Sequence, residues 1–243
     1  MKFTGSLLFV ALLVGCTTTQ RPLVPVPKSL EATSTLMRVE RKRTPFSKTP
    51  MRFGEWQVTG FAHDRLPNSR SSEIGTPDVR YEKSRGTAKY HFVMSASGSD
   101  VYECQCGHTR KERGVALGGS DNKLTVDLEQ KEWLDCDLRR ISDGATWTLR
   151  IDGSRLIGGE GYSGTLTDGS RTLYLRATSE IEHLGNLPSQ PLGWFFERDG
   201  SKIASTELIT PGIVRIGDDA GSDRDLIATA SAALLLQPTA YSR

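Results

Sequence analysis

Cys104-Gln105-Cys106-Gly107-His108 is the densest group of chemically active side chains in this 243-residue sequence. On an extended backbone alternate residues share a face, so Cys104, Cys106 and His108 fall on one side. With Cys136 they make a Cys₃His set, sufficient in type for a structural zinc. The spacing argues against it: one residue separates Cys104 from Cys106, where paired zinc cysteines usually have about two to four between them. The other chemistry open to these groups is a disulfide from Cys136 to Cys104 or to Cys106. Such a bridge closes a loop of about 30 residues and stabilises by roughly 3–4 kcal/mol in the chain-entropy model. The two candidates are two residues apart on one face, and the sequence does not choose between them. The thiol left over is expected to be buried and inert.

No catalytic set stands out elsewhere. The four histidines, His63, His91, His108 and His183, form no His-Glu-x-x-His pattern, and no Gly-x-Ser-x-Gly elbow is present. Ser163 lacks a strand-to-elbow context and reads as part of a turn or strand. Gly158-Gly159-Glu160-Gly161 is followed by no Lys-Ser or Lys-Thr, which suits a hairpin loop or bulge better than a phosphate cradle. Asp218, Asp219, Asp223 and Asp225 do not follow an EF-hand spacing and read as a solvated turn with favourable charge at a helix start. The expectation is a non-enzymatic protein with no catalytic residue, no metal and no cofactor.

The first 16 residues say where the chain goes. Lys2 precedes the apolar run Leu7–Val14, which is too short for a bilayer span of about 20 residues and has the layout of a secretory leader. Leu13-Val14-Gly15-Cys16 resembles the lipobox of bacterial lipoprotein precursors. The resemblance implies cleavage before Cys16, acylation of Cys16 and a mature chain held on a membrane by lipid. Thr17 is not the Asp that usually marks inner-membrane retention in such proteins. The implied location is therefore the cell envelope, lipid-anchored, at the outer membrane facing the periplasm. An exported chain meets oxidising conditions, which favour the disulfide over the metal.

The chain carries 31 basic against 29 acidic residues, far from the basic excess of a general nucleic-acid binder. No nucleic-acid partner is expected. Residues 16–50 hold Pro22, Pro25, Pro27, Pro45 and Pro50 among Ser and Thr and read as the lipidated cysteine plus a flexible linker. The basic knot Arg38, Arg41, Lys42 and Arg43 reads as solvated. The domain expectation is residues 1–15 signal peptide, 16–50 lipidated Cys and linker, and 51–243 a single β-rich domain.

The elements of that domain are short strands. Tyr90-Phe92-Met94, Leu124-Val126-Leu128, Trp147-Leu149-Ile151 and Leu173-Leu175-Ala177 alternate with mostly polar residues, the period of a half-buried strand. Asp143-Gly144, Asp152-Gly153, Asp168-Gly169 and Asp199-Gly200 suit hairpin turns. Asp225–Gln237 reads as a helix stopped by Pro238, apolar round most of its circumference and therefore buried on most sides. The fold expectation is mainly β: an antiparallel barrel-like sheet of about ten to twelve strands with one buried C-terminal α-helix. That picture resembles the tubby, phospholipid-scramblase and LURP-one group over residues 53–237. The likeness is one of architecture, with no site residue to carry over. It implies contact with lipid headgroups or membrane proteins. Gly54-Glu55-Trp56 is similar to the Gly-x-Trp of lipocalins, whose helix packs outside the barrel and is amphipathic. The functional expectation is a lipid-anchored protein that binds or scaffolds another envelope component, protein or lipid. The alternative is a lipocalin-like carrier of a small apolar ligand.

Overall fold

The computed structural model describes residues 24–41, 51–63, 68–76, 79–118, 124–156, 159–181, 185–186 and 191–237. Cys16, the leader, Lys42, Arg43 and His183 lie outside them. A short helix, α1 (Lys28–Thr33), leads into β1 (Ser34–Arg38). There follow β2 (Arg52–Phe53), β3 (Trp56–His63), β4 (Asn68–Gly75), β5 (Val79–Ala96), β6 (Ser99–Leu117), β7 (Leu124–Arg140), β8 (Thr146–Leu156), β9 (Gly159–Thr167) and β10 (Thr172–Thr178). After these come β11 (Glu180–Ile181), β12 (Gly185–Asn186), β13 (Gly193–Arg198), β14 (Ser201–Glu207), β15 (Ile213–Gly217), a 3₁₀ stretch Asp218–Asp223 and α2 (Arg224–Leu236).

Twelve strands lie edge to edge in the order β1-β15-β14-β13-β10-β9-β8-β7-β6-β5-β3-β2, and β4 pairs with β5 off that path. Glu40 and Arg52 exchange two backbone bonds of 2.8 and 3.1 Å, which join the chain after β1 to β2. The result is a nearly closed antiparallel barrel with one C-terminal helix, as the alternating pattern led us to expect. Among the described residues no helix is long and apolar enough to cross a membrane.

Alternation in the strands sends one set of side chains inward. Phe92, Met94, Leu134, Leu138, Trp147, Leu149, Leu166, Leu175 and Phe196 are each at most 1% exposed. They pack on α2, whose residues Leu226–Leu234 and Leu236 are all buried. Five polar ties hold the helix and its N-cap on the barrel axis. Trp56 Nε1 donates to Asp225 Oδ1 at 2.8 Å. Tyr90 donates its hydroxyl to the Ala233 carbonyl at 2.8 Å, and Thr206 donates to Ser231 at 2.7 Å. Arg198 and Arg171 reach Asp223 at 3.1 and 3.5 Å. Burial drives the Tyr90 phenol well above its usual range, with the Cys104 thiol a lesser cause.

Several expectations need correcting. Residues 24–41 are not linker: Val24, Leu30, Met37 and Val39 are at most 9% exposed, and β1 pairs with β15 from Ser34↔Gly217 to Arg38↔Ile213. The proline count masked the alternation of Met37 and Val39. Asp152-Gly153 is no turn but lies within β8. A Cβ on Gly153 would meet the Tyr162 ring at 2.1 Å, so the glycine makes room for an aromatic neighbour. Asp143-Gly144, Asp168-Gly169 and Asp199-Gly200 do fall between strands, each with its glycine at positive φ. Asp223 is buried between two arginines, not solvated.

Candidate functional site

The cysteine cluster resolves through strand register. Cys104, Cys106 and His108 do share the inner face of β6, and Cys106 stands directly opposite Cys136 of β7. Those two form the disulfide, their Cα atoms 4.1 Å apart. Cys104 is opposite Leu138 instead and keeps a buried thiol. Burial pushes that thiol far above its usual pKa, with the Glu103 charge a lesser cause, so it is a poor nucleophile. Among the described residues no group of three or more His, Cys, Asp or Glu is arranged to hold a metal.

His108 turns instead to Glu132, a residue the sequence did not single out. Its Nε2 lies 2.6 Å from Glu132 Oε1. The same oxygen accepts from Gln237 Nε2 at 2.6 Å, and Tyr162 donates to Oε2 at 3.4 Å. Burial alone would raise the Glu132 pKa. The hydrogen bond and charge of His108, the Arg110 guanidinium and the Tyr162 hydroxyl together outweigh burial and hold it below the usual value. An ionised carboxylate only accepts, so Nε2 of His108 carries the proton. Three donors from three separate elements converge on this one carboxylate. This cluster closes the barrel over the end of α2.

The surface offers a different kind of site. β5, β6 and β7 run for 18, 19 and 17 residues, longer than any other strand. Among the described residues the last β7–β8 pair is Glu129↔Leu156. Beyond it β4, β5, β6 and the start of β7 continue as a four-stranded ribbon. Opposite residues of antiparallel strands share a face. Ile74↔Tyr81, Tyr81↔Val115 and Val115↔Val126 make one row on the outer face, and Val79↔Leu117 and Leu117↔Leu124 make the next. Of these seven apolar side chains, Ile74 is 74% exposed, Leu124 62% and Val79 50%.

A bulge sets this arrangement. The β6–β7 register shifts between Arg113↔Glu129 and Gly114↔Asp127, leaving Leu128 without an opposite residue. The extra residue turns Val126 and Leu124 to the outer face beside Val115 and Leu117. The sequence-based expectation that Leu124, Val126 and Leu128 form one unbroken face is corrected here, since alternation cannot register an inserted residue.

Immediately barrelward on the same face lie the rows Lys83↔Arg113↔Glu129 and Arg85↔Lys111↔Lys131, then Thr109↔Trp133. Glu129 pairs with Arg113 at 3.0 Å and with Lys131 at 2.7 Å, and the Lys131 hydrogen bond leads the causes that lower its pKa. The Lys111 ammonium stands 4.9 Å from the Trp133 ring centre. Lys111, Arg113, Glu129, Lys131 and Trp133 line a surface hollow of about 160 Å³. The opposite face of the ribbon is polar and internally paired: Arg80 with Glu73 at 3.5 Å, Arg110 with Glu112, and Ser84 donating to Glu112 at 3.2 Å. The apolar side of the ribbon thus faces solvent. Set against known protein families, curated proteins and solved structures, the chain matches none.

Proposed function

We propose that this protein is a lipid-anchored envelope component that works by binding, with Cys16 as the acylated residue and the projecting ribbon as its contact surface. The observation that carries the binding part is the outer face of the ribbon, where seven apolar side chains are gathered in two rows by strand register and a bulge. The anchoring part rests on the apolar run that ends at Leu13-Val14-Gly15-Cys16. A bacterial outer membrane, seen from the periplasm, is the location that fits Thr17 and the oxidised Cys106–Cys136 pair.

A carrier of a small apolar ligand is the alternative reading of a barrel. What weighs against it is α2: the space a carrier keeps for its ligand holds thirteen residues of helix, ten of them buried. The His108–Glu132 cluster supports a structural role by the same reasoning, because its donors are spent on one carboxylate.

The test is metabolic labelling with a fatty-acid analogue in a bacterial host. Wild type should be labelled and processed, and Cys16→Ser should accumulate as unlabelled precursor. Equal labelling of both would overturn the anchor. The binding part is tested by Leu117→Asp with Leu124→Asp. The pair should leave the thermal melt unchanged while abolishing association with whatever the ribbon contacts.

A further inference from the structure

We infer that the outer face of the ribbon docks on the surface of an anionic lipid bilayer, the same bilayer that holds Cys16. This deepens the reading above and rests on it for the anchor alone. The docking surface itself is carried by the order of residues along the ribbon. Among the described residues the row farthest from the barrel is Val79, Leu117, Leu124. Next comes Ile74, Tyr81, Val115, Val126. Then come the two charged rows, with Lys83, Arg85, Lys111, Arg113 and Lys131 against the single acid Glu129, and Trp133 beyond them.

That sequence of chemistries matches the depth profile of a bilayer. Apolar side chains meet the acyl boundary, a tyrosine with apolar ring and polar tip sits at the border, and basic groups with a tryptophan lie at the phosphates. A protein-binding patch is built differently, with an apolar centre ringed by polar residues on all sides. Here, among the described residues, the charge lies on one side of the apolar rows, and it is five bases to one acid. On the inner face of the same ribbon Arg80 pairs with Glu73 and Arg110 with Glu112, so the basic excess belongs to the outer face.

The chain path supplies an independent argument. α2 enters the barrel near Trp56 and ends at Gln237 beside Glu132. The ribbon projects from that second end. Val24 is at the same end: its amide approaches Glu207 Oε2 at 3.5 Å, and its side chain would lie 3.3 Å from a Cβ on Gly193, where β14 stops and β13 starts. Val24 follows Cys16 by eight positions, a span of at most about 29 Å in any conformation. An anchor at Cys16 therefore holds Val24, at the end of the barrel that bears the apolar and basic rows, within about 29 Å of the lipid surface.

The test uses the full chain, lipid-anchored, in phosphatidylcholine vesicles with or without phosphatidylglycerol. An environment-sensitive nitrobenzoxadiazole is attached at Leu124→Cys. With Cys104 buried, Cys106 bonded to Cys136 and Cys16 acylated, that site is the reactive thiol. With phosphatidylglycerol the emission should rise severalfold and the probe should lose access to a water-soluble quencher. In phosphatidylcholine alone it should stay quenchable. Lys111→Glu with Lys131→Glu should weaken the anionic response at least about tenfold, and Lys83→Gln with Arg85→Gln should weaken it less. A probe equally exposed on both kinds of vesicle overturns the inference, as does equal shielding on both or shielding only after envelope proteins are added. Failure of the anchor is read separately, as absence of fatty-acid label at Cys16. In that case the unanchored chain should still float with anionic vesicles and lose this with the charge reversals.

Discussion

Trp56 and Asp225 are tied by a 2.8 Å hydrogen bond across the entry to the barrel, although 169 residues separate them. The indole N–H is a donor with no acceptor function, and the carboxylate is an acceptor in the first turn of α2. The Arg224 guanidinium lies 5.7 Å from the centre of the same indole. One side chain thus positions the start of the helix in two ways. Trp56→Phe keeps an aromatic in the core and removes the donor. It should lower stability by about 1–3 kcal/mol, measured as a shift of the urea midpoint with unchanged slope.

The helix should be sensitive to charge according to depth. Ile227 is 0% exposed, so Ile227→Asp places an unpaired charge in the core and should cost more than about 4 kcal/mol, enough to abolish a cooperative melt. Leu235 is only partly buried against the core, and Leu235→Asp should cost about 1–3 kcal/mol. Equal effects of the two substitutions would contradict the placement of α2.

Non-reducing peptide mapping should recover Cys106 joined to Cys136 and Cys104 as a thiol that reacts only after denaturation. Cys136→Ser should destabilise by about 3–4 kcal/mol in the chain-entropy model for a loop of this length. Cys104→Ser should leave the bridge intact.

Glu132 predicts an acid limb. Its folded-state pKa lies below the unfolded value. Its contribution is therefore complete above the unfolded value of about 4.3 and is lost as pH falls through the lower folded value. Urea midpoints should be flat from about pH 7 to pH 5 and fall below that, and Glu132→Gln should flatten the fall. At neutral pH the same substitution should cost about 1–3 kcal/mol, because His108 loses a charged acceptor.

Much of the barrel was legible because its signals are local. Tyr90-Phe92-Met94 and Trp147-Leu149-Ile151 alternate in sequence and are buried in phase, and an all-round apolar helix has nowhere to go but inside a sheet. What escaped depends on register between strands. The choice of Cys106 over Cys104 is a matter of which residue faces Cys136, and nothing in either strand alone states it. Glu132 meets His108 and Gln237 only once β6, β7 and α2 are assembled. The ribbon had a signal that went unread. Val79, Tyr81, Lys83 and Arg85 of β5 continue the phase of the exposed Lys89 and His91, so their apolar members lie on the side that should be polar. Trp194, Phe195 and Phe196 are all buried, with Phe195 on the outer face beneath the Lys202 ammonium at 3.9 Å.

Leu128 makes the character of the ribbon a question of parity. Because one unopposed residue decides which way Val126 and Leu124 point, removing it would exchange the two sides of that end of the strand while leaving every other residue in place. Substitutions along β7 can only tune the strength of the surface. The gain or loss of a single codon reverses its sense.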